Sequence, residues 1–340
     1  MALHTRLSAD EARAILAAYG FELETLEPLP DRGTVNSNFR VRASGRLFFL
    51  RVNEGKRDQD VRAEADLVTA LRAGGVPTPE ILAPIHLMQS HQSDADHLMQ
   101  SHQNVSGDLM HVHQKPVTLF PWVAGREAQP IPDAPSVRAV GRGLALLHRA
   151  GQALPSSTWP RDHYRLEELA RRLASFDGDP RFSEVAPQLG SALARAMDRA
   201  LRNERGPVGL IHQDLFPDNL LVDERGELSA ILDLEQATGG PLAYDLAVAL
   251  NAWCWDGERI VPDAVESVLA AYRQSAPEPL GALAQLDARL LDEARLAAAR
   301  FTITRITDVF LPDGVDEGLK RRKDWRDYAR RLEYWNSQTP

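Results

Sequence analysis

The sequence predicts an α+β protein of two lobes, a small antiparallel β-sheet with a helix followed by a larger, mostly helical lobe. Two observations predict it. Apolar and polar residues alternate near the start of the chain, as strands require, and apolar residues recur at helical spacing through most of the remainder. A third is size: 340 residues with 44% hydrophobic and 26% charged side chains suffice for two packed units with a core.

The elements follow in order. A first helix is expected from Ala9 to Tyr19, begun by Ser8 as its cap. GTVNSNFRVRASGRLFFLRV (33–52) alternates about a Ser-Gly turn and reads as a hairpin. DVRAEADLVTALRAGGVPTPEIL (60–82) has helical periodicity ended by Gly74, Gly75 and Pro77. VTLFPWVAG (117–125) reads as a strand running into a bend. Three segments then carry the 3.6-residue apolar period: PSVRAVGRGLALLHRAG (135–151), the 162–203 region, and LLDEARLAAARFTITRITDVF (290–310).

Composition narrows the function classes. One cysteine, Cys254, excludes an internal disulfide framework and a multi-cysteine zinc site, which suits a reducing cytoplasm. The N-terminal segment lacks the basic, apolar, small-residue layout of a secretory signal, and no apolar stretch approaches the ~20 residues of a membrane span. A cytoplasmic protein acting on a small molecule, without membrane or nucleic-acid partners, is expected. The formal charge of −9 supports the last point, because backbone phosphates demand clustered cations. Only four lysines stand beside thirty-five arginines.

HLMQSHQ at 86–92 recurs unchanged at 97–103, and a degraded copy, DLMHVHQ, follows at 108–114. Six of the ten histidines lie in this stretch, which raises a metal site. Their spacings of five and six miss the three- or four-residue step that stacks ligands on a helix face. A tandem duplication extending an exposed hairpin loop before the strand at Val117 is the expected reading.

The stretch with the most chemistry is IHQDLFPDNLLVD (211–223), flanked by the short apolar runs Leu210-Ile211 and Leu220-Leu221-Val222. A turn across Glu224–Glu227 leads to a third run, SAILDLE. His212-x-Asp214-x-x-x-x-Asn219 matches a kinase catalytic loop, and Asp233 follows fourteen residues after Asn219. Phosphoryl transfer needs a carboxylate beside the accepting hydroxyl and oxygen ligands holding Mg²⁺ against the nucleotide phosphates. On this reading Asp214 orients or deprotonates the hydroxyl, Asn219 and Asp233 bind metal, and His212 buttresses the loop. Asp and Asn that merely cap turns are the alternative.

With these residues the chain resembles the aminoglycoside phosphotransferase and choline kinase-like small-molecule kinases, and within them the homoserine kinase-like branch. GTVNSNFRV, IHQDLFPDN and LAYDLAVALNAWCW (242–255) carry the resemblance across all but the histidine repeat. It implies a protein-kinase-like fold, with ATP and Mg²⁺ as cofactors. The N-terminal lobe, 1–120, would bind nucleotide and carry the 86–114 repeat as an insertion; 121–340 would hold the catalytic and substrate groups. Arg51 falls where the family has a phosphate-binding lysine, and Glu64 at its ion-pair partner. Gly33, Ser37 and Asn38 would form the turn over the phosphates. Leu119 to Trp122, with Phe120, would be the hinge meeting adenine.

Asn36 is a candidate substrate ligand. Asp245 is expected to support the catalytic loop or cap the helix that starts there, and Trp253 and Trp255 to be core. An amino-acid acceptor needs a cation for its carboxylate; Arg300 and Arg305, on an otherwise apolar helix, are candidates because charge there needs a partner. The implied reaction is ATP-dependent phosphorylation of L-homoserine. The alternatives are an aminoglycoside, choline, a sugar derivative or another amino alcohol as acceptor, or a catalytically dead binding module. DLEQA after Asp233 departs from the aromatic-rich version the family resemblance implies. The eleven residues between Asp233 and Asp245, with no APE motif, leave no room for the activation segment of a protein kinase.

Overall fold

Ser8 starts the first helix through a capping box: its side chain accepts from the Glu11 N–H while the Glu11 carboxylate accepts from the Ser8 N–H. In the computed structural model, which describes residues 5–30, 35–85, 109–128, 134–160 and 164–339, this helix, α1, spans Ala9–Ala18. The chain divides into two compact units, Met1–Ala73 with Thr78–Val123, and Gly74–Pro77 with Ala124–Pro340. The first unit extends three residues past the expected division at 120, to Val123. Gly74–Pro77 groups with the second unit, where the Pro77 carbonyl accepts from the Ile231 N–H at 2.7 Å.

The first unit is a five-stranded antiparallel sheet, β1 (Leu23–Pro28), β2 (Ser37–Ala43), β3 (Arg46–Val52), β4 (Met110–Val112) and β5 (Lys115–Pro121), in the order β1-β2-β3-β5-β4. Between β3 and β4 lies helix α2 (Asp58–Ala73). The β2–β3 hairpin turns at Ser44 and Gly45, both with positive φ, as a two-residue hairpin of this hand requires. Register decides which side chains share a face. Phe39, Leu50 and Leu119 align across three strands and pack with Val41, Phe48 and Val52 against Ile15, Leu16 and Tyr19 of α1. One residue out of step, Asn38, Arg51 and Thr118 align on the other face, with Phe49 and Phe120 beside them.

The last copy of the histidine repeat is not loop. Its described residues form β4 and a tight turn at His113 and Gln114, both at positive φ, and β5 begins at Lys115 rather than Val117. The two histidines there bond carboxylates, His111 to Asp58 and His113 to Glu11, each at 2.8 Å. The first two copies lie outside the described residues, as does Gly33.

The second unit is mainly helical: α3 (Ala134–Gln152), α4 (Leu166–Ala174), α5 (Ala186–Leu201), α6 (Leu242–Trp253), α7 (Pro262–Ser275), α8 (Ala288–Arg305), α9 (Glu317–Arg322) and α10 (Trp325–Ser337). Short strands frame its loops. β6 (Arg126–Glu127), β8 (Leu220–Val222) and β9 (Leu228–Ile231) form one ribbon, and β7 (Val208–Ile211) pairs with β10 (Thr238–Pro241) rather than with β8. The periodicity read over 290–310 as one helix is interrupted: α8 ends at Arg305 and a π-helical turn covers Ile306–Phe310. Among the described residues no helix is long and apolar enough to cross a membrane.

Helix α6 is buried along its whole length, which its nearly uninterrupted apolar sequence allows. Two polar side chains in it are exceptions with assigned partners. Asn251 bonds the Ala247 and Ala294 carbonyls and accepts from the Trp335 indole N–H. Asp245, fully buried, accepts from the backbone N–H groups of His212 and Gln213, both at 2.8 Å, and contacts His148 Nε2 at 3.1 Å. His148 Nδ1 meets the Tyr272 hydroxyl at 2.8 Å, so a ring protonated at Nε2 satisfies all three side chains. Burial alone would raise the Asp245 carboxyl, but these hydrogen bonds and the neighbouring imidazoles hold it below the ordinary aspartate range.

Because its acidity is strengthened on folding, Asp245 contributes stability that is complete above the unfolded value of about 3.9 and is lost as pH falls through the lower folded value. Asp245→Asn is therefore expected to destabilise the protein by about 3–5 kcal/mol at pH 7. Denaturant unfolding should give the same difference at pH 5 and a smaller one at pH 3.

Candidate active site

The loop between β7 and β8 is fixed at both edges by backbone bonds. At its entry Gln213 adopts φ +67°, a left-handed conformation costly for a non-glycine residue, and the two N–H bonds to Asp245 hold the chain there. At its exit a short helical turn over Pro217–Asn219 leads into β8. Trp253, at the end of α6, donates its indole N–H to the Leu215 carbonyl at 2.8 Å. Trp253 is fully buried and Trp255 nearly so, both packed in the interior.

His212 is fully buried and locks the loop from inside. One ring nitrogen lies 2.9 Å from the Leu232 carbonyl, and the other accepts the Asp214 N–H at 3.3 Å. Its side chain positions the loop rather than facing a ligand.

Asp214, Asn219 and Asp233 are drawn to one place. The Asn219 amide donates to the Asp214 carbonyl at 2.8 Å, closing the loop on itself. Beyond β8 and β9 the ladder continues, with the Leu232 N–H bonded to the Asn219 carbonyl at 2.9 Å, and Asp233 is the next residue. Asp233 then turns sharply, at φ +58° and ψ +63°, a left-handed geometry that aspartate tolerates better than most side chains.

The Asp214 carboxylate is itself held. Gln236 donates its amide N–H to Asp214 Oδ2 at 2.9 Å, while the Gln236 carbonyl accepts from Arg300 at 2.7 Å. A second arm of Arg300 donates to the Gln213 carbonyl at 2.7 Å, and its guanidinium stacks over Tyr164 and Phe301 at 4.0 and 4.1 Å. Arg300 is thus a buried brace for the loop and for Gln236. Burial raises the Asp214 carboxyl above the ordinary aspartate range, against the opposing pull of Arg300, His212 and Lys323.

The donor set suits a hard divalent cation. Asn219 uses its N–H₂ on the Asp214 carbonyl, which leaves the amide oxygen for a metal, and Asp233 supplies a carboxylate in the adjacent position. One carboxylate and one amide oxygen, completed by phosphates and water, is the pattern Mg²⁺ takes with nucleotides.

In the first unit Arg51 is buried on the sheet face opposite α1, with its guanidinium 5.8 and 5.6 Å from the Phe49 and Phe120 rings. It meets Glu64 of α2 at 3.5 Å. Lys56 reaches the other Glu64 oxygen at 2.9 Å, so the glutamate is shared and the lysine is the closer cation. Asn38 lies on the Arg51 face, whereas Ser37 points the other way, accepting from the Thr5 N–H and donating to Glu54. The Asn36 side-chain oxygen accepts from the Glu54 N–H at 3.1 Å. Trp122, 37% exposed, bonds through its N–H to the Leu47 carbonyl and lies under the Arg40 guanidinium.

Four residues beside these groups escaped the sequence reading: Lys56, Gln236, Lys323 and Tyr328. Lysine scarcity was the available signal, since two of the four lysines are Lys56 and Lys323.

Comparison with known proteins agrees with this chemistry. The model of the phosphotransferase enzyme family known as APH matches residues 25–283. A homoserine kinase of Caulobacter sp. (strain K31) is 30% identical over 349 residues, 98% of this chain and 96% of that one. Among solved structures, spectinomycin phosphotransferase APH(9)-Ia in complex with ADP and spectinomycin superposes with a TM-score of 0.67 at 12% identity, covering 98% of this chain and 99% of that one. Amicoumacin kinase with AMP-PNP and Ca²⁺ gives a TM-score of 0.68 at 13% identity, covering 98% and 94%. The chain belongs to the APH phosphotransferase enzyme family, has its two-lobed kinase-like fold, and is a small-molecule phosphotransferase.

Proposed function

We propose that this phosphotransferase moves the γ-phosphoryl group of ATP to the side-chain hydroxyl of L-homoserine, giving O-phospho-L-homoserine and ADP in the cytoplasm. The observation that carries the reading is the environment of Asp214: Arg300 bonds the Gln236 amide that holds its carboxylate, and Arg300, His212 and Lys323 all act on it as cations. A polycationic aminoglycoside calls for many carboxylates around the acceptor, while a zwitterionic amino acid needs one anionic contact for its ammonium and a cation, as found here, for its carboxylate. The near full-length likeness to a homoserine kinase supports the same acceptor.

In the proposed reaction Asp214 accepts the proton of the acceptor hydroxyl as the oxygen forms its bond to the γ-phosphorus and the bridging P–O bond breaks toward ADP. Gln236 holds one carboxylate oxygen, so the other is aimed at the hydroxyl. Asn219 and Asp233 would hold Mg²⁺, which when bound neutralises charge on the phosphates. Arg51 and Lys56, both tied to Glu64, would meet the α- and β-phosphates, with Asn38 beside Arg51 on the same face; Gly33, outside the described residues, would join them. The backbone of Phe120 and Trp122 would face the adenine. A dead binding module gains support only from arginine at position 51, and the closer Lys56 weakens that argument.

A coupled assay of ADP release with L-homoserine, homoserine-related amino alcohols, choline and aminoglycosides is expected to give Mg²⁺-dependent turnover with L-homoserine as the best acceptor. Asp214→Asn should lower kcat by roughly 10²–10⁴-fold with its melting temperature retained. Intact nucleotide binding without turnover on any acceptor would establish the binding module instead. Lys56→Met should raise KM for ATP by about tenfold, the loss of one charge-assisted contact, and a KM equal to wild type would remove Lys56 from the phosphate site.

A further inference from the structure

Several part-buried arginines in the second unit meet a carboxylate. Arg199 pairs with Asp292 at 3.2 Å, Arg205 with Glu293 at 2.6 Å, Arg295 with Asp292 at 2.7 Å, and Arg172 with Glu168 at 3.0 Å. Beside Asp214 the pattern fails. Arg305, Lys323 and Arg331 are all part-buried, and none has a carboxylate within ion-pair distance among the described residues.

The two arginines converge on one aromatic ring, and Lys323 lies where it acts on both Asp214 and Arg305. The Arg305 guanidinium lies 4.5 Å and that of Arg331 4.1 Å from the centre of the Tyr328 ring. Arg305 also donates to the Asp324 carbonyl at 2.8 Å, which brings it to the residue after Lys323. Tyr328 packs on Phe301 at 4.9 Å and Phe216 at 6.2 Å, and Phe216 is part of the catalytic loop. Tyr328 is fully buried, yet its hydroxyl has no hydrogen-bond partner among the described residues. A buried hydroxyl without a partner is destabilising, and two mutually repelling guanidiniums over the same ring add to the cost. A bound anion relieves both. Arg300 differs, because its arms already hold Gln213 and Gln236.

We infer that Arg305, Lys323, Arg331 and the Tyr328 hydroxyl form a receptor for the carboxylate of the phosphoryl acceptor, so that the π-turn and C-terminal helix set the enzyme's preference for an acidic alcohol. This rests on the homoserine reading and gives its carboxylate a place. Burial, and then the neighbouring Arg305, hold the Arg331 guanidinium below its usual range, as expected where a cation awaits an anion. Lysine at 323, in a chain that otherwise favours arginine, supplies a compact ammonium rather than a planar fork.

The test compares kcat/KM for L-homoserine and for L-homoserinol, which replaces the carboxylate by a neutral CH₂OH, with 4-hydroxybutyrate and 1,4-butanediol as a second pair. Wild type should favour each acid by roughly 10- to 100-fold. Lys323→Met should bring that ratio close to one, acting through KM for the acid. Tyr328→Phe is the second variant: deleting an orphan hydroxyl retains or raises the melting temperature, so a merely structural tyrosine would leave the ratio untouched, whereas the receptor predicts a fall of about tenfold. Equal use of acid and alcohol by wild type, an unchanged ratio in both variants, or an effect confined to KM for ATP would overturn the receptor while leaving homoserine as acceptor. Preference for 4-hydroxybutyrate over homoserine, still dependent on Lys323, would uphold the receptor and overturn homoserine.

Discussion

A buried carboxylate, Asp245, carries the arrangement on which the remaining chemistry depends. It sits in a helix with no exposed residue and reaches out to grip two successive backbone N–H groups of the catalytic loop. Two amides so held fix the direction in which the loop leaves β7, and a left-handed Gln213 is the conformational consequence. From there His212 binds the loop to the Leu232 carbonyl, one residue before Asp233, and Asn219 closes it on Asp214. The acid stays charged in a dry interior because two N–H donors and an imidazole surround it.

A second layer holds the Asp214 carboxylate. Arg300 is costly to bury, and its hydrogen bonds and two aromatic faces offset that cost. It transmits its position to Asp214 through Gln236, a residue lying in the one stretch, DLEQA, that departs from the aromatic-rich version implied by the family resemblance. In this stretch the Gln236 amide holds one oxygen of the Asp214 carboxylate.

Much of this was legible in sequence because it obeys local rules. Ser8 announces a helix start, Ser44-Gly45 a hairpin turn, and His212, Asp214 and Asn219 a loop whose spacing encodes its own closure. What escaped was non-local. That β7 pairs with β10 and not β8 follows from tertiary packing, with no signature in either strand. The role of Gln236 depends on an arginine sixty-four residues later, and the cation group at 305, 323 and 331 acquires meaning only when α10 lies against α8. Ser37 reads as lending backbone N–H groups to a phosphate turn; its side chain lies on the face opposite Arg51, a matter of strand register that this reading did not address. For Arg305 a partner was expected from charge on an apolar helix; the side chain meets a backbone carbonyl and a ring, and no carboxylate within ion-pair distance among the described residues.

The grip of Asp245 on the loop is open to direct measurement by native-state hydrogen exchange at the His212 and Gln213 amides. Both should exchange only through global unfolding, with the protection of the strands and α6. Exchange of either amide through a local opening well below the global unfolding free energy would contradict the claim that this carboxylate holds the catalytic loop in place.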